Sequence, residues 1–234
     1  MSIDKISLEE ISILQLSDSF FPTGMYATSN GLEALFYGKK IKQANELRDI
    51  TKVYLEQQIG PTDCAALGNS YEYAKRSDLH GLIEVDQIIY SMKLVREIRE
   101  TSSRAGTQLL KCLSYFITDN ELLNKYQDAI KNKEASGVYP VALAIAASTL
   151  NIPKYKAGLI MIYAFSIGIV GAALRLGMLQ HYDGQRIIHE LKPAILEVVN
   201  NNIDRPLTSM WQFAPSIDIT QIEHERMPSK MFIT

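Results

Sequence analysis

AGLIMIYAFSIGIVGAAL, residues 157–174, runs 18 residues without a charge. That length touches the lower limit of a membrane span, which needs about 17–25 apolar residues. Lys154, Lys156 and Arg175 bracket it. Gly and Ala are frequent inside it, however, and the chain has no second segment of this kind. A helix that is apolar all round is also what the centre of a helical protein requires, where neighbours cover every face. The stretch is therefore read as a central helix of a soluble fold, not as a membrane anchor. Gly168 and Gly171, three apart, are read as a place where another helix packs.

Working outward, helical spacing continues in both directions. Pro140 to Leu150 reads as an apolar helix stopped by Asn151-Ile152-Pro153. After the central helix, Asp183 is read as the cap of the next, with a kink or a new start at Pro193. Towards the N-terminus, Asn30-x-x-Glu33 has the form of a capping box, followed by Leu32, Leu35 and Phe36 on one face and Gly38 at the stop. Leu47, Ile50 and Tyr54 form the next stripe, ended by Gly60-Pro61, and Thr62 or Asp63 caps a helix through Ala74. Asp78 or Asp86 begins a longer stretch to Phe116. Its polar part, Arg96 to Gly106, is expected to be a break or an exposed surface. Thr118-x-x-Glu121 reads as another capping box. No strand pattern, linker or internal repeat stands out. The expectation is one all-α, bundle-like domain over residues 1–234, with about eight to ten helices. The tail, 206–234, carries three prolines and one Trp, and is expected to be ordered only through contact with the body or a partner.

Composition excludes several classes. Net charge is −2, with 21% charged and 47% hydrophobic residues. No basic run provides the phosphate-neutralising surface that nucleic-acid binding rests on. The two cysteines, Cys64 and Cys112, form no CxxC pair, so neither a disulfide framework nor a zinc ribbon is indicated. MSIDKISLEEISILQ lacks the basic and apolar blocks of a signal peptide, which makes the cytoplasm the default address.

Chemistry-bearing motifs are sparse. GxxxxGK[ST], GxGxxG after a strand, HExxH and GxSxG are all missing. None of His80, His181, His189 and His224 has a second His at i+3 or i+4. Glu223-His224-Glu225 has donors suited to a divalent ion such as nickel. Successive helical side chains point about 100° apart, so the trio is read as a solvated surface and His224 as no more than a weak metal candidate. Arg175 either meets Asp183 or faces solvent at the end of the apolar run. The missing acid–base constellation argues against an enzyme; a helical enzyme with a site assembled from distant residues is the alternative.

SFFPTGMYATSNGLEA, residues 19–34, holds a Pro, two glycines and three large aromatics in one turn. In Pro22 and Gly24 this is local backbone chemistry; Tyr26 is left over. With three other segments it resembles the urease accessory protein F family, UreF. The first segment, Leu14 to Ala34, carries Pro22, Gly24, Tyr26 and Gly31-Leu32-Glu33. The second is YPVALAIAASTLNI (139–152). The third joins Arg175-Leu176 to Asp183-Gly184-Gln185. The fourth is the tail, Phe213 to Phe232. Val138 stands where the family commonly has His, and Lys230-Met231-Phe232 replaces the usual Arg-Leu-Phe. Lysine keeps the charge of that arginine and loses its bidentate fork.

The resemblance implies an all-helical, non-catalytic maturation protein, usually a homodimer. It implies a bridge between accessory protein D/H and the GTPase accessory protein G, in a complex that regulates GTP hydrolysis and delivers nickel to apo-urease. No cofactor is held stably, and nickel is cargo in transit. By this resemblance Tyr26, Glu33, Lys230 and Phe232 face partners, while Pro22, Gly24, Arg175 and Asp183 serve structure or interface.

Overall fold

A computed structural model describes residues 7–18 and 20–234; residues 1–6, part of the stretch read for a signal peptide, lie outside it. The α-helices are α1 (Leu8–Ser17), α2 (Leu32–Tyr37), α3 (Ala44–Tyr54), α4 (Ala65–Lys75), α5 (Leu79–Met92), α6 (Arg96–Leu113), α7 (Glu121–Lys131), α8 (Tyr139–Thr149), α9 (Lys154–Arg175), α10 (His181–Asn202) and α11 (Pro215–Glu225). A π-helical segment, Leu55–Cys64, joins α3 to α4. Counted as one rod, these leave ten helices and no strand among the described residues, in a single all-α domain.

The two apolar helices form the centre. Residues 139–147 of α8 are all buried, flanked by α4 and α6. Helix α9 contains the 157–174 stretch, and α10, α8, α1 and α4 pack on it. Its most apolar window is 61% buried by these neighbours, so its hydrophobicity is matched to protein contact. Its one open strip runs through Gly168 and Gly171. A Cβ at Gly168 would meet nothing within 4 Å, and one at Gly171 only the end of Arg175. Among the described residues no helix makes the expected contact at these glycines.

Several boundaries differ from the sequence reading, each for a local reason. Gly60-Pro61 does not stop the helix. The wide π turn absorbs the proline, and Phe213 N–H donates to the Gln57 carbonyl at 3.1 Å, the acceptor Pro61 would leave empty in an α register. Gly60 is required because a Cβ would lie 2.7 Å from Val198 of α10. The break in the long stretch falls at residues 93–95, ahead of Arg96, where Lys93 is buried against Asp63 at 2.7 Å. Arg96 to Gly106 is regular helix. Asn120, not Thr118, caps α7, its side-chain oxygen accepting Leu123 N–H at 2.9 Å. Helix α10 begins after Gln180, with Asp183 in its first turn, and runs through Pro193 without interruption. Asn30 is not the cap of α2: Gly31 occupies that position with φ +90°, and the Glu33 carboxylate is used elsewhere.

Candidate functional site

The turn quoted above is built as its residues suggest. Gly24 takes φ +77°, a left-handed shape that glycine adopts without a Cβ penalty. This starts a single 3₁₀ turn, Met25–Ala27, that leaves the Tyr26 side chain outside. Residues 27–29 then run alongside the end of the tail. Ile233 N–H donates to the Ala27 carbonyl at 2.9 Å, and Ser29 N–H donates to the Thr234 carbonyl at 2.6 Å. The Ser29 hydroxyl donates to the same carbonyl at 2.5 Å.

Beneath this pairing lies a buried carboxylate. Glu33, 1% exposed, accepts Met231 N–H at 2.7 Å and Phe232 N–H at 3.1 Å. Its second oxygen also meets His224 Nε2 at 3.0 Å. On the other side of the ring, His224 Nδ1 meets Glu97 of α6 at 2.9 Å. Glu97 in turn accepts from the Lys230 ammonium, which also donates to the Glu225 carbonyl at 3.0 Å. Both ring nitrogens face carboxylate oxygens, so the imidazole joins the two acids, and Lys230 adds a cation at the far one. A buried ionic group persists only when paired and hydrogen-bonded in this way.

Helix α11 makes this possible by its pitch. Glu223 points out to Lys40 at 2.8 Å and Glu225 reaches Arg96 at 3.3 Å, while His224 between them is fully buried. The solvated surface expected for residues 223–225 is corrected at His224. Among the described residues no group of three or more His, Cys, Asp or Glu is placed to hold a metal.

Arg175 closes the top. Its guanidinium lies 3.9 Å from the Tyr26 ring centroid and 4.5 Å from that of Phe232. It donates to the Tyr26 carbonyl and, at 3.0 Å, to the Gly171 carbonyl. Neither sequence reading of Arg175 holds: it is half-buried between aromatic rings, and Asp183 pairs with Arg186 at 3.1 Å. Burial lowers the Arg175 pKa from its ordinary value.

Of the partner-facing candidates, Tyr26 is exposed and Lys230 partly so, whereas Glu33 and Phe232 lie inside and hold the other two in place. Pro22 and Gly24 shape the turn. Met231 and Ile233 of the tail are exposed apolar residues as well. Glu97 was missed by sequence reasoning. Its only signal was being an acid within the polar part of α6.

These elements define an all-helical protein whose distinctive feature is a charge-locked clasp presenting an apolar, aromatic surface. Residues 41–192 match the UreF family. The chain is 32% identical over 224 residues to the urease accessory protein UreF of Trichodesmium erythraeum (strain IMS101), covering 96% of each. It is 30% identical to urease accessory protein UreF 1 of Brucella melitensis biotype 1, over 95% of this chain and 92% of that one. For UreF of Bacillus sp. (strain TB-90) the identity is 29%, over 96% and 98%. The chain belongs to the UreF family.

Proposed function

We propose that this protein is a urease maturation chaperone of the cytoplasm. It joins accessory protein D/H to the GTPase accessory protein G, as a homodimer, and regulates GTP-dependent delivery of nickel to apo-urease. It does so as a binding surface and not as an enzyme, and nickel is cargo. Family membership supports the urease role. The observation that carries the surface role is the clasp. Tyr26, Met231 and Ile233 are exposed on a base fixed by Glu33, His224, Glu97 and Lys230. Large apolar side chains held rigidly outward lose little conformational freedom when a partner covers them.

Tyr26→Ala tests this. Tyr26 is 66% exposed and its stack on Arg175 is worth about 0.5–1 kcal/mol, so the variant remains folded. Co-purification with D/H and G is expected to fall about tenfold, the usual scale for an aromatic anchor. Unchanged assembly with both partners sinks the surface role of Tyr26. Failure of the wild-type protein to bind either folded partner sinks the chaperone reading.

A further inference from the structure

A groove of about 700 Å³ runs between α9 and residues 16–18 and 20–30, and it shares Tyr26 and Arg175 with the clasp. Leu16, Phe21, Met25, Tyr163, Phe165 and Ile167 give it apolar walls. Gly168 and Gly171 form an open strip along its floor. The volume and lining are those of a small-molecule site, mostly apolar with few polar groups.

Two of those polar groups have spare bonding capacity. Arg175 uses Nε and Nη1 on the Gly171 and Tyr26 carbonyls. Its Nη2 lies 4.0 Å from where a Gly171 Cβ would be, and it forms no ion pair with a described carboxylate. Tyr139, 7% exposed, lines the same groove, and its hydroxyl has no hydrogen-bond partner among the described residues. Burial pushes that hydroxyl's pKa up to about 12, so it remains a donor. Asp18 is the one carboxylate among the lining residues, and it accepts Phe20 N–H at 2.8 Å within its own turn. A half-buried cation in an apolar channel complements an anionic head on an apolar tail.

We propose that this groove binds a single-chain apolar carboxylate, with the head at Arg175 and the tail along Gly168. The proposal shares Arg175 and Tyr26 with the clasp, and its binding measurement needs no assembly partner. Sodium laurate, titrated below its micellar concentration into the full chain by calorimetry, is expected to bind saturably at one per chain. Dodecanol, lacking the charge, is expected to bind about tenfold more weakly. Gly168→Leu places a side chain into the open floor and raises helix propensity, so it keeps the fold. It is expected to weaken laurate binding at least about tenfold, and a circular-dichroism melt confirms folding. Gly168→Ala is the milder variant, expected to give a smaller loss in the same direction. Absence of saturable binding overturns the proposal, as does equal affinity for dodecanol or binding undiminished in the leucine variant. Loss of D/H or G assembly in Gly168→Leu with no laurate binding to wild type assigns the groove to a protein segment and also overturns it.

Discussion

Asp86 and Glu33 are both buried carboxylates that accept two backbone N–H groups, and they do different work. Asp86 sits in α5 with no exposure and binds Ser136 N–H, Val138 N–H at 2.9 Å and the Tyr126 hydroxyl at 2.6 Å. Its donors are uncharged and the Tyr126 ring that supplies one is itself buried. Burial, then the Asp86 charge, holds the Tyr126 pKa well above its ordinary value. Glu33 binds Met231 and Phe232, but its next neighbour is an imidazole, then Glu97, then the partly exposed Lys230. One carboxylate staples a connection between core helices. The other ends a line of charge that leads to the surface. The same local device thus serves permanence where it is sealed and adjustability where it has an outlet.

The sharpest break of this comparison is Asp86→Ala. Two buried donors and a partly buried one lose their acceptor at about 1–3 kcal/mol each, so denaturant unfolding should register a loss of roughly 4 kcal/mol. A loss comparable to an ordinary surface substitution would remove Asp86 from its role as a staple. Glu33→Gln is expected to cost less, about 2 kcal/mol, and to act locally. Amide exchange should accelerate at residues 27–29 and 231–234 and stay slow at 136–138. Uniform acceleration across both regions would erase the distinction.

Asp218 offers a pH test near the clasp. Burial raises its pKa, partly offset by the Gln212 hydrogen bond. A folded-state pKa above the unfolded one means the folded protein binds the extra proton. Asp218 therefore lowers stability as pH rises from the unfolded carboxylate value through the raised one. Asp218→Asn should remove that contribution, so the variant-minus-wild-type stability difference should grow with pH across this window. A flat difference would contradict the assignment. The smallest expected effect is Lys230→Arg, within about 0.5 kcal/mol, because the cation still reaches Glu97. Amide exchange at 231–234 unchanged in that variant would show that the latch requires a charge there and not a particular head group.

The central architecture was legible because α8 and α9 have no polar face to misread. Local signals were harder to rank. Thr118 and Asn120 are both plausible caps, and only the chain's exit from α6 decides between them. Gly60-Pro61 looks like a stop because sequence rules assume an α register, whereas the wide turn accepts a proline. The same 100° argument that disfavours three adjacent metal ligands also allows one of three charged neighbours to face inward. Which one does so depends on α2 and α6, distant in sequence. The clasp was half visible, as Tyr26 and Lys230–Phe232 were drawn to one surface by family resemblance. Its interior was not, since Glu33 looks like a helix-capping acid until residues 231 and 232 are brought to it.

The Glu33 contacts span up to 199 residues, and this has a consequence for the order of events on the ribosome. At about 5–20 residues per second, Glu33 emerges on the order of 10–40 s before the amides and imidazole that bind it. During that interval its charge must stay hydrated, so the 24–33 turn cannot settle in its final place while the middle of the chain folds. Closing so long a loop comes late by topology as well. A nascent chain lacking residues 224–234 should therefore form its α8–α9 centre with the turn still loose. The clasp therefore closes only after residues 224–232 have been made, well after the segments that form the α8–α9 centre.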